Sequence, residues 1–297
     1  MTPALRRALE DAIRHACGTR CVIEQFSAGP ASAFGKTWLA NGNGARWFVK
    51  TTAATGQSRL HCEAKGLGAI AATGTIRTPS VIALGAAEDS AFLVLEYLPM
   101  HTPTRDDGPR CAEALAALHA CHGDRYGWPE DNYIGTTPQV NAWSDDWPRF
   151  FAEQRLAPHL RAAAEKGYRG ELQSCGERVL SKIGAFFLER RPQASLIHGD
   201  LWAGNLGVMD TGEPVVFDPA AYYGDREADF AMSELFGGLP ESFYATYRKR
   251  APLADGYAQR CTLYNLYHML NHLNLFGAGY LRQAERMARE LSNYLRQ

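Results

Sequence analysis

Residues 195–229 read SLIHGDLWAGNLGVMDTGEPVVFDPAAYYGDREAD, and few folds accommodate that order of apolar and polar segments. A short apolar strand leads into a polar loop carrying Asp200, with Asn205 five residues later. A second short strand reaches the turn Asp210-Thr211-Gly212, and a third, Pro214 to Phe217, ends on Asp218. Two strands joined by a tight turn return the chain on itself, so Asp218 is brought back beside the 200–205 loop. Two carboxylates and one amide then converge at one point. Any one of these residues alone reads as a cap or turn residue. The spacing H-G-D-x-x-x-x-N, followed by an Asp at a strand end, is a far more specific signal.

That constellation has a chemistry. A carboxylate and an amide oxygen are hard ligands suited to Mg²⁺. The other carboxylate is left to orient a hydroxyl and accept its proton, which is the arrangement of kinase-type phosphoryl transfer. The first third of the chain supplies matching parts. Lys50 ends the strand RWFVK, and Glu63 lies in the helix that follows. In kinase folds such a Lys contacts the α- and β-phosphates of ATP and such a Glu positions it. The segment Leu95-Glu96-Tyr97-Leu98 closes the last strand of this region, where backbone groups of Glu96 and Leu98 face an adenine edge in a kinase.

The 297 residues suffice for two modest domains, and 46% hydrophobic content suffices for a core. A net charge of −1 provides no basic face, so nucleic acid is not an expected partner. Leu5, Leu9 and Ile13 predict an amphipathic N-terminal helix and not a signal peptide. Strands are expected at 20–28, 33–40, 46–50, 79–86 and 91–97, with Asn41-Gly42-Asn43-Gly44 as a turn. A helix is expected over 57–74, with Leu60, Ala64, Leu67 and Ile70 on one face, although Gly66 and Gly68 weaken it. Beyond a linker at 98–106, helices are expected at 109–121, 147–165, 171–190, 227–236, 241–250, 257–276 and 279–295. The fold class is therefore α+β and two-lobed, protein-kinase-like. A small antiparallel-sheet N-lobe (1–98) is joined to a larger, mostly helical C-lobe (99–297), with the ligand cleft between them.

The strings HGDLWAGN at 198–205, FDPAAYYGDREAD at 217–229, TPQVNAWSDDWPRFFAEQRLAPHL at 137–160 and LYNLYHMLNHLNLFG at 263–277 resemble the fructosamine kinases, also called ketosamine 3-kinases. These are relatives of the aminoglycoside and choline kinases, and the resemblance extends over nearly the whole chain. It implies ATP and Mg²⁺ as cofactors, with Asp200 as catalytic base and Asn205 and Asp218 holding the metal. Lys50, braced by Glu63, would bind phosphate, and Glu96, Tyr97 and Leu98 would border the nucleotide. It also implies phosphorylation of O3 of a ketosamine, the adduct that a sugar leaves on an amine, either small or protein-linked. The 3-phosphate then eliminates and frees the amine. Trp202 is expected to stack on the sugar or to pack in the core. Asp131 and Asn132 are candidate substrate contacts, as is Trp143, whereas Trp147 reads as a packing residue. Two other readings stay open: a kinase of this fold for an aminoglycoside, choline or another sugar, and a silent nucleotide-binding scaffold.

Several features point elsewhere and are set aside. SAGPASAFGKT at 27–37 imitates a P-loop, but five residues separate its glycines and it opens a hairpin, not a helix. It departs from the family's glycine pair and contains neither Asn nor Cys. Asp218 is followed so closely by the helix from Asp225 that no long activation loop fits, which favours a small acceptor over a gated protein kinase. His268 and His272 stand at zinc-like spacing, but Met269 replaces the Glu of a zincin, and a polar helix face is the better reading. His198 and Asp229 are expected to brace the catalytic loop. The 7 cysteines, Cys21 among them, form no C-x-x-C pair and suit a reducing compartment. Residues 262–281 lack charge, yet their Asn and His side chains would be costly in lipid. A soluble, cytoplasmic protein with no membrane partner is expected.

Overall fold

The computed structural model describes residues 1–18 and 22–296. The N-lobe runs α1 (Pro3–Cys17), β1 (Gln25–Ala28), β2 (Lys36–Gly42), β3 (Ala45–Ala53), α2 (Gln57–Ala72), β4 (Val81–Ala87) and β5 (Ser90–Glu96). The five strands pair antiparallel in the order β1-β2-β3-β5-β4. The Thr2 hydroxyl caps α1 by accepting from the Leu5 amide at 3.2 Å. Leu5, Leu9 and Ile13 then bury against Trp47, Val49, Phe92 and Val94 of the sheet, each burial worth about 2 kcal/mol. The strand expected from residue 20 begins at Gln25, and residues 20 and 21, with Cys21, lie outside the described residues. The strand expected from residue 33 begins at Lys36, because residues 33–35 form a turn. Asn43 and Gly44, at φ 50° and 76°, close the β2–β3 hairpin as a two-residue turn. The GKT string thus sits in a hairpin, not at the start of a helix.

The C-lobe runs β6 (Met100–His101), α3 (Gly108–His119), β7 (Asn132–Ile134), β8 (Thr137–Gln139), α4 (Trp147–Phe151), α5 (Ala157–Glu165), α6 (Glu171–Ser181), β9 (Ser195–Ile197), β10 (Leu206–Met209), β11 (Pro214–Val216), β12 (Tyr222–Gly224), α7 (Arg226–Leu235), α8 (Glu241–Arg250), α9 (Tyr257–Phe276) and α10 (Leu281–Tyr294). Three expectations need correction. The segment read as a linker contains β6, which pairs with β10 to make the sheet β11-β10-β6, so the crossing between lobes is tied to the catalytic hairpin. Two residues are too few to show a period in sequence. The helix expected over 147–165 is interrupted by a π-turn at Ala152–Leu156. That extra residue turns Arg155 inward, where it is fully buried between the rings of Tyr222 and Phe150 and donates to the Val140 carbonyl at 2.7 Å. The helix expected over 171–190 stops at Ser181, and a 3₁₀ turn, Ile183–Phe187, carries Ile183, Phe186 and Phe187 into the core.

The polar face of α9 lies inside the C-lobe. His268 and His159 are buried on either side of Tyr267, with ring centroids 4.7 and 4.9 Å from it. Burial pushes both imidazoles down to about 3, the His159 shift being reinforced by Arg155 and the His268 shift by His272. The sign of the consequence is fixed. Above the ordinary histidine pKa both states are neutral. Below it the unfolded chain takes up protons that the folded chain refuses, so stability falls as pH drops toward about 3. Acidifying from about pH 7 to about pH 5 is expected to remove about 4 kcal/mol through this pair. Urea unfolding at both pH values checks this, and His268→Phe should lose about half the dependence; an unchanged slope would rule the imidazole out.

Candidate active site

The loop bearing Asp200 is held from behind by a buried carboxylate. Asp229, on α7, accepts the His198 amide at 2.6 Å, the Gly199 amide at 2.8 Å and His119 Nε2 at 3.2 Å. Burial alone would raise its pKa, but these partners hold it below the usual carboxylate value. Gly199 has φ 83°, and a Cβ there would lie 2.2 Å from the Ala220 carbonyl oxygen, so only glycine lets the loop approach the strand carrying Asp218. His198 Nε2 donates to the Phe217 carbonyl at 2.9 Å, and its Nδ1 accepts from the Asp200 amide at 3.3 Å. His198 and Asp229 make the bracing contacts expected of them.

Asp200 and Asn205 meet as the spacing requires: Asn205 Nδ2 donates to the Asp200 carbonyl at 2.8 Å and to its Oδ2 at 3.4 Å. The amide nitrogen is thereby engaged and the harder Oδ1 is left to bind. Burial, with Asp218 and then Asp229 adding like charge, pushes the Asp200 carboxyl up to about 7. Asp218 adopts φ 58°, a left-handed conformation that costs a non-glycine residue of order 1 kcal/mol and aims the carboxylate across the cleft. Lys50 Nζ donates to Glu63 at 2.6 Å and also pairs with Asp218. Burial pulls the Lys50 pKa down, but Glu63 and Asp218 outweigh it, so the ammonium stays charged. Gly66 eases this approach: a Cβ there would meet the Pro219 ring at 3.0 Å, so the glycine that weakens α2 in sequence lets α2 sit closely against the Asp218 segment.

These groups open on a cavity of about 690 Å³ between the lobes, within the range for a nucleotide or cofactor site. Lys50, Glu63, Glu96, Tyr97, Leu98, Asn132, Asp200, Trp202, Asn205 and Asp218 all line it. Asp131 does not; its carboxylate accepts the Asn141 amide at 2.9 Å. The Asn132 side chain is engaged with the Ala221 carbonyl, Gln139 and Asn141, so its contribution to the wall is structural. Trp202 is 38% exposed and so is not a core residue, whereas Trp147 is buried and donates to the Tyr264 hydroxyl at 3.0 Å. The Glu96 amide is taken by the Ser80 carbonyl at 2.9 Å, so any hinge contact from Glu96 comes from its carbonyl oxygen.

The profile of the fructosamine kinase family matches residues 5–294. The chain belongs to that family. A Synechocystis protein named as a probable ketoamine kinase is 46% identical over 246 residues, covering 82% of each chain. The chloroplastic protein-ribulosamine 3-kinase of Arabidopsis thaliana is 37% identical over 253 residues, covering 84% of this chain and 76% of the relative. Among solved structures, a Haemophilus somnus protein assigned as a fructosamine-3-kinase superposes with a TM-score of 0.88 at 28% identity, over 95% of this chain and 96% of that one. The two-lobed α+β fold is that of the family, and the chain is a phosphotransferase of this kind.

Other residues of this kinase's site escape the sequence reading. Arg77 donates to Glu96 at 2.6 Å while its backbone carbonyl accepts the Val216 amide at 2.9 Å, which ties β5 to the hairpin that ends at Asp218. Arg59 donates to the Phe34 carbonyl at 2.6 Å and to Thr52 Oγ1 at 3.1 Å, anchoring the loop at 27–37 to α2. Neither has a local sequence signature, since Glu96, Val216 and Phe34 are all distant from them in the chain. The histidine pair on α9 is joined backbone to ring, with His272 Nδ1 donating to the His268 carbonyl at 2.8 Å. No cluster able to hold a metal through three His, Cys, Asp or Glu side chains occurs among the described residues, and none of the helices is long and apolar enough to cross a membrane.

Proposed function

We propose that this kinase transfers the γ-phosphoryl group of ATP to O3 of a ketosamine, the sugar adduct of a small or protein-linked amine. The observation that carries the reading is the meeting of Asp200, Asn205, Asp218 and the Lys50–Glu63 pair at one cavity wall. The names of its relatives, a ketoamine kinase and a ribulosamine 3-kinase, support the acceptor class.

The oxygen donors present fit a hard divalent cation: Asn205 turns its nitrogen to Asp200 and keeps Oδ1 available, and Asp218 presents a carboxylate. They would hold Mg²⁺, which neutralises charge on the β- and γ-phosphates when bound. Lys50, kept charged and aimed by Glu63, binds phosphate oxygens. Glu96, Tyr97 and Leu98 border the base. Asp200 orients the O3 hydroxyl and takes its proton. Catalysis is therefore positioning and charge stabilisation in a site drawn from both lobes, 1–98 and 99–297. Six free cysteines among the described residues agree with a reducing, cytoplasmic setting.

The test is ATP-to-ADP turnover with Mg²⁺ against ribulose-lysine, fructose-lysine, an aminoglycoside and choline, with Asp200→Ala as control. Ketosamine turnover is expected to exceed the other acceptors by about 100-fold or more, a margin a site that hydrogen-bonds its substrate can supply. Turnover on the aminoglycoside or choline alone would overturn the acceptor assignment. Nucleotide binding with no turnover on any acceptor would overturn the activity.

A further inference from the structure

Five rings form a continuous arc beside the cleft. Trp202 meets Phe236 edge-on at 6.3 Å, Phe236 meets His272 at 5.0 Å, His272 meets Phe276 at 5.5 Å, and Phe276 stacks on Phe34 at 5.9 Å. The two ends, Trp202 and Phe34, line the cavity, and the three middle rings connect them ring to ring. The phosphotransfer mechanism gives no role to Phe236, His272 or Phe276. Trp202, Phe236 and Phe276 are nonetheless 38%, 42% and 48% exposed, an unusual amount of aromatic surface to leave in water beside a site.

The acceptor chemistry supplies an occupant. Building on the ketosamine reading above, we infer that the arc from Trp202 through Phe236 and His272 to Phe276 receives the protonated amine of the acceptor and the first carbons of its substituent. The amine of a ketosamine is a secondary alkylamine, charged at neutral pH and only three bonds from the carbon that bears the reacting hydroxyl. It must therefore lie close to Asp200 whenever O3 does. A carboxylate would be the ordinary partner, yet those among the described lining residues are committed. Glu63 holds Lys50 at 2.6 Å, Asp218 also pairs with Lys50, and Glu96 holds Arg77 at 2.6 Å and Ser80 Oγ at 3.0 Å. Asp200 has the hydroxyl proton to take. Ring faces are the remaining partner for a cation, and aromatic clusters bind alkylammonium groups through their quadrupoles.

The imidazole suits that role. His272 Nδ1 donates to the His268 carbonyl at 2.8 Å, so Nε2 is left as an acceptor that can take an ammonium proton. Burial lowers the His272 pKa, so the ring does not repel the amine at neutral pH. Phe34 closes the arc without taking part: the Arg59 guanidinium already lies 5.9 Å from its ring and donates to its carbonyl at 2.6 Å.

The experiment compares two acceptors in one protein: the ketosamine of lysine, and the same ketosamine N-acetylated at the secondary amine, which keeps the sugar and removes the charge. The wild type is expected to favour the charged acceptor in kcat/KM by about 20-fold. Phe236→Leu and Phe276→Leu, which keep apolar bulk and remove the ring, should each lower that ratio about fivefold, mainly through KM; Phe236→Tyr should keep it. A ratio near one in the wild type, or a ratio unchanged in both leucine variants, would overturn the inference. Failure of the ketosamine reading is visible separately, as absence of wild-type turnover on the charged acceptor.

Discussion

Asp200→Asn is expected to lower kcat by about 10²–10⁴-fold while leaving nucleotide affinity within about twofold. The substitution keeps the shape of the side chain and its place beside Asn205, 2.8 Å from the Asp200 carbonyl, and removes only the ability to accept a proton. Loss of kcat without loss of binding is the signature of a group acting in the transition state. A second consequence has the opposite sign. Burial and the neighbouring Asp218 push the Asp200 carboxyl up to about 7, so its ionised form is destabilising near neutral pH. The amide variant should therefore melt at a temperature equal to or above that of the wild type, the familiar trade of stability for function at a catalytic site. Calorimetric titration of nucleotide, a thermal melt and single-turnover kinetics read the three quantities. More than about a tenth of wild-type kcat in the variant would remove Asp200 from the role of base.

Asp229→Ala is expected to be the most destabilising single change near the site, by about 3–5 kcal/mol. The carboxylate is 1% exposed and receives two backbone amides, at 2.6 and 2.8 Å, and His119 at 3.2 Å. Alanine strands all three donors without water. Because two of them belong to His198 and Gly199, the loop that aims Asp200 should also lose its position, and kcat should fall well below the melting transition. Asp229→Asn keeps part of the bonding and should fall between. Urea unfolding together with kcat at low temperature separates the two effects. A stability loss below about 1 kcal/mol would mean that the loop is held by other contacts.

The parts of the site that were legible in sequence share one property: each depends on order and spacing over a short stretch. Asp200, Asn205 and Asp218 lie within one strand–loop–hairpin unit, whose turn residues and apolar strands dictate that its ends meet. Lys50 and Glu63 were readable because a strand and the helix after it follow one another in the chain; the expected strand end at Lys50 lies three residues short of Ala53, and the two side chains meet at 2.6 Å. The misread parts depend on contacts that no local pattern encodes. Asp131 stands beside Asn132 in the chain, yet it does not line the cavity, because its carboxylate turns to the Asn141 amide at 2.9 Å, ten residues further on. The π-turn at 152–156 has no sequence period of its own, and the buried Arg155 that accompanies it draws its partners from Val140, Asn141 and two rings.

Residue types and hydrophobic period along the chain suffice for the class of chemistry, the order of the parts and the two-lobed layout. Which residues hold those parts in place emerges only from the packed fold. Arg77 joins β5 to the hairpin that ends at Asp218, Asp229 suspends the loop bearing Asp200, Gly199 permits close backbone approach, and five rings from four separate segments meet in one arc. Each of these is a relation between surfaces far apart in the chain. Its physical basis, a shared hydrogen bond or a van der Waals limit, exists only once the lobes have packed.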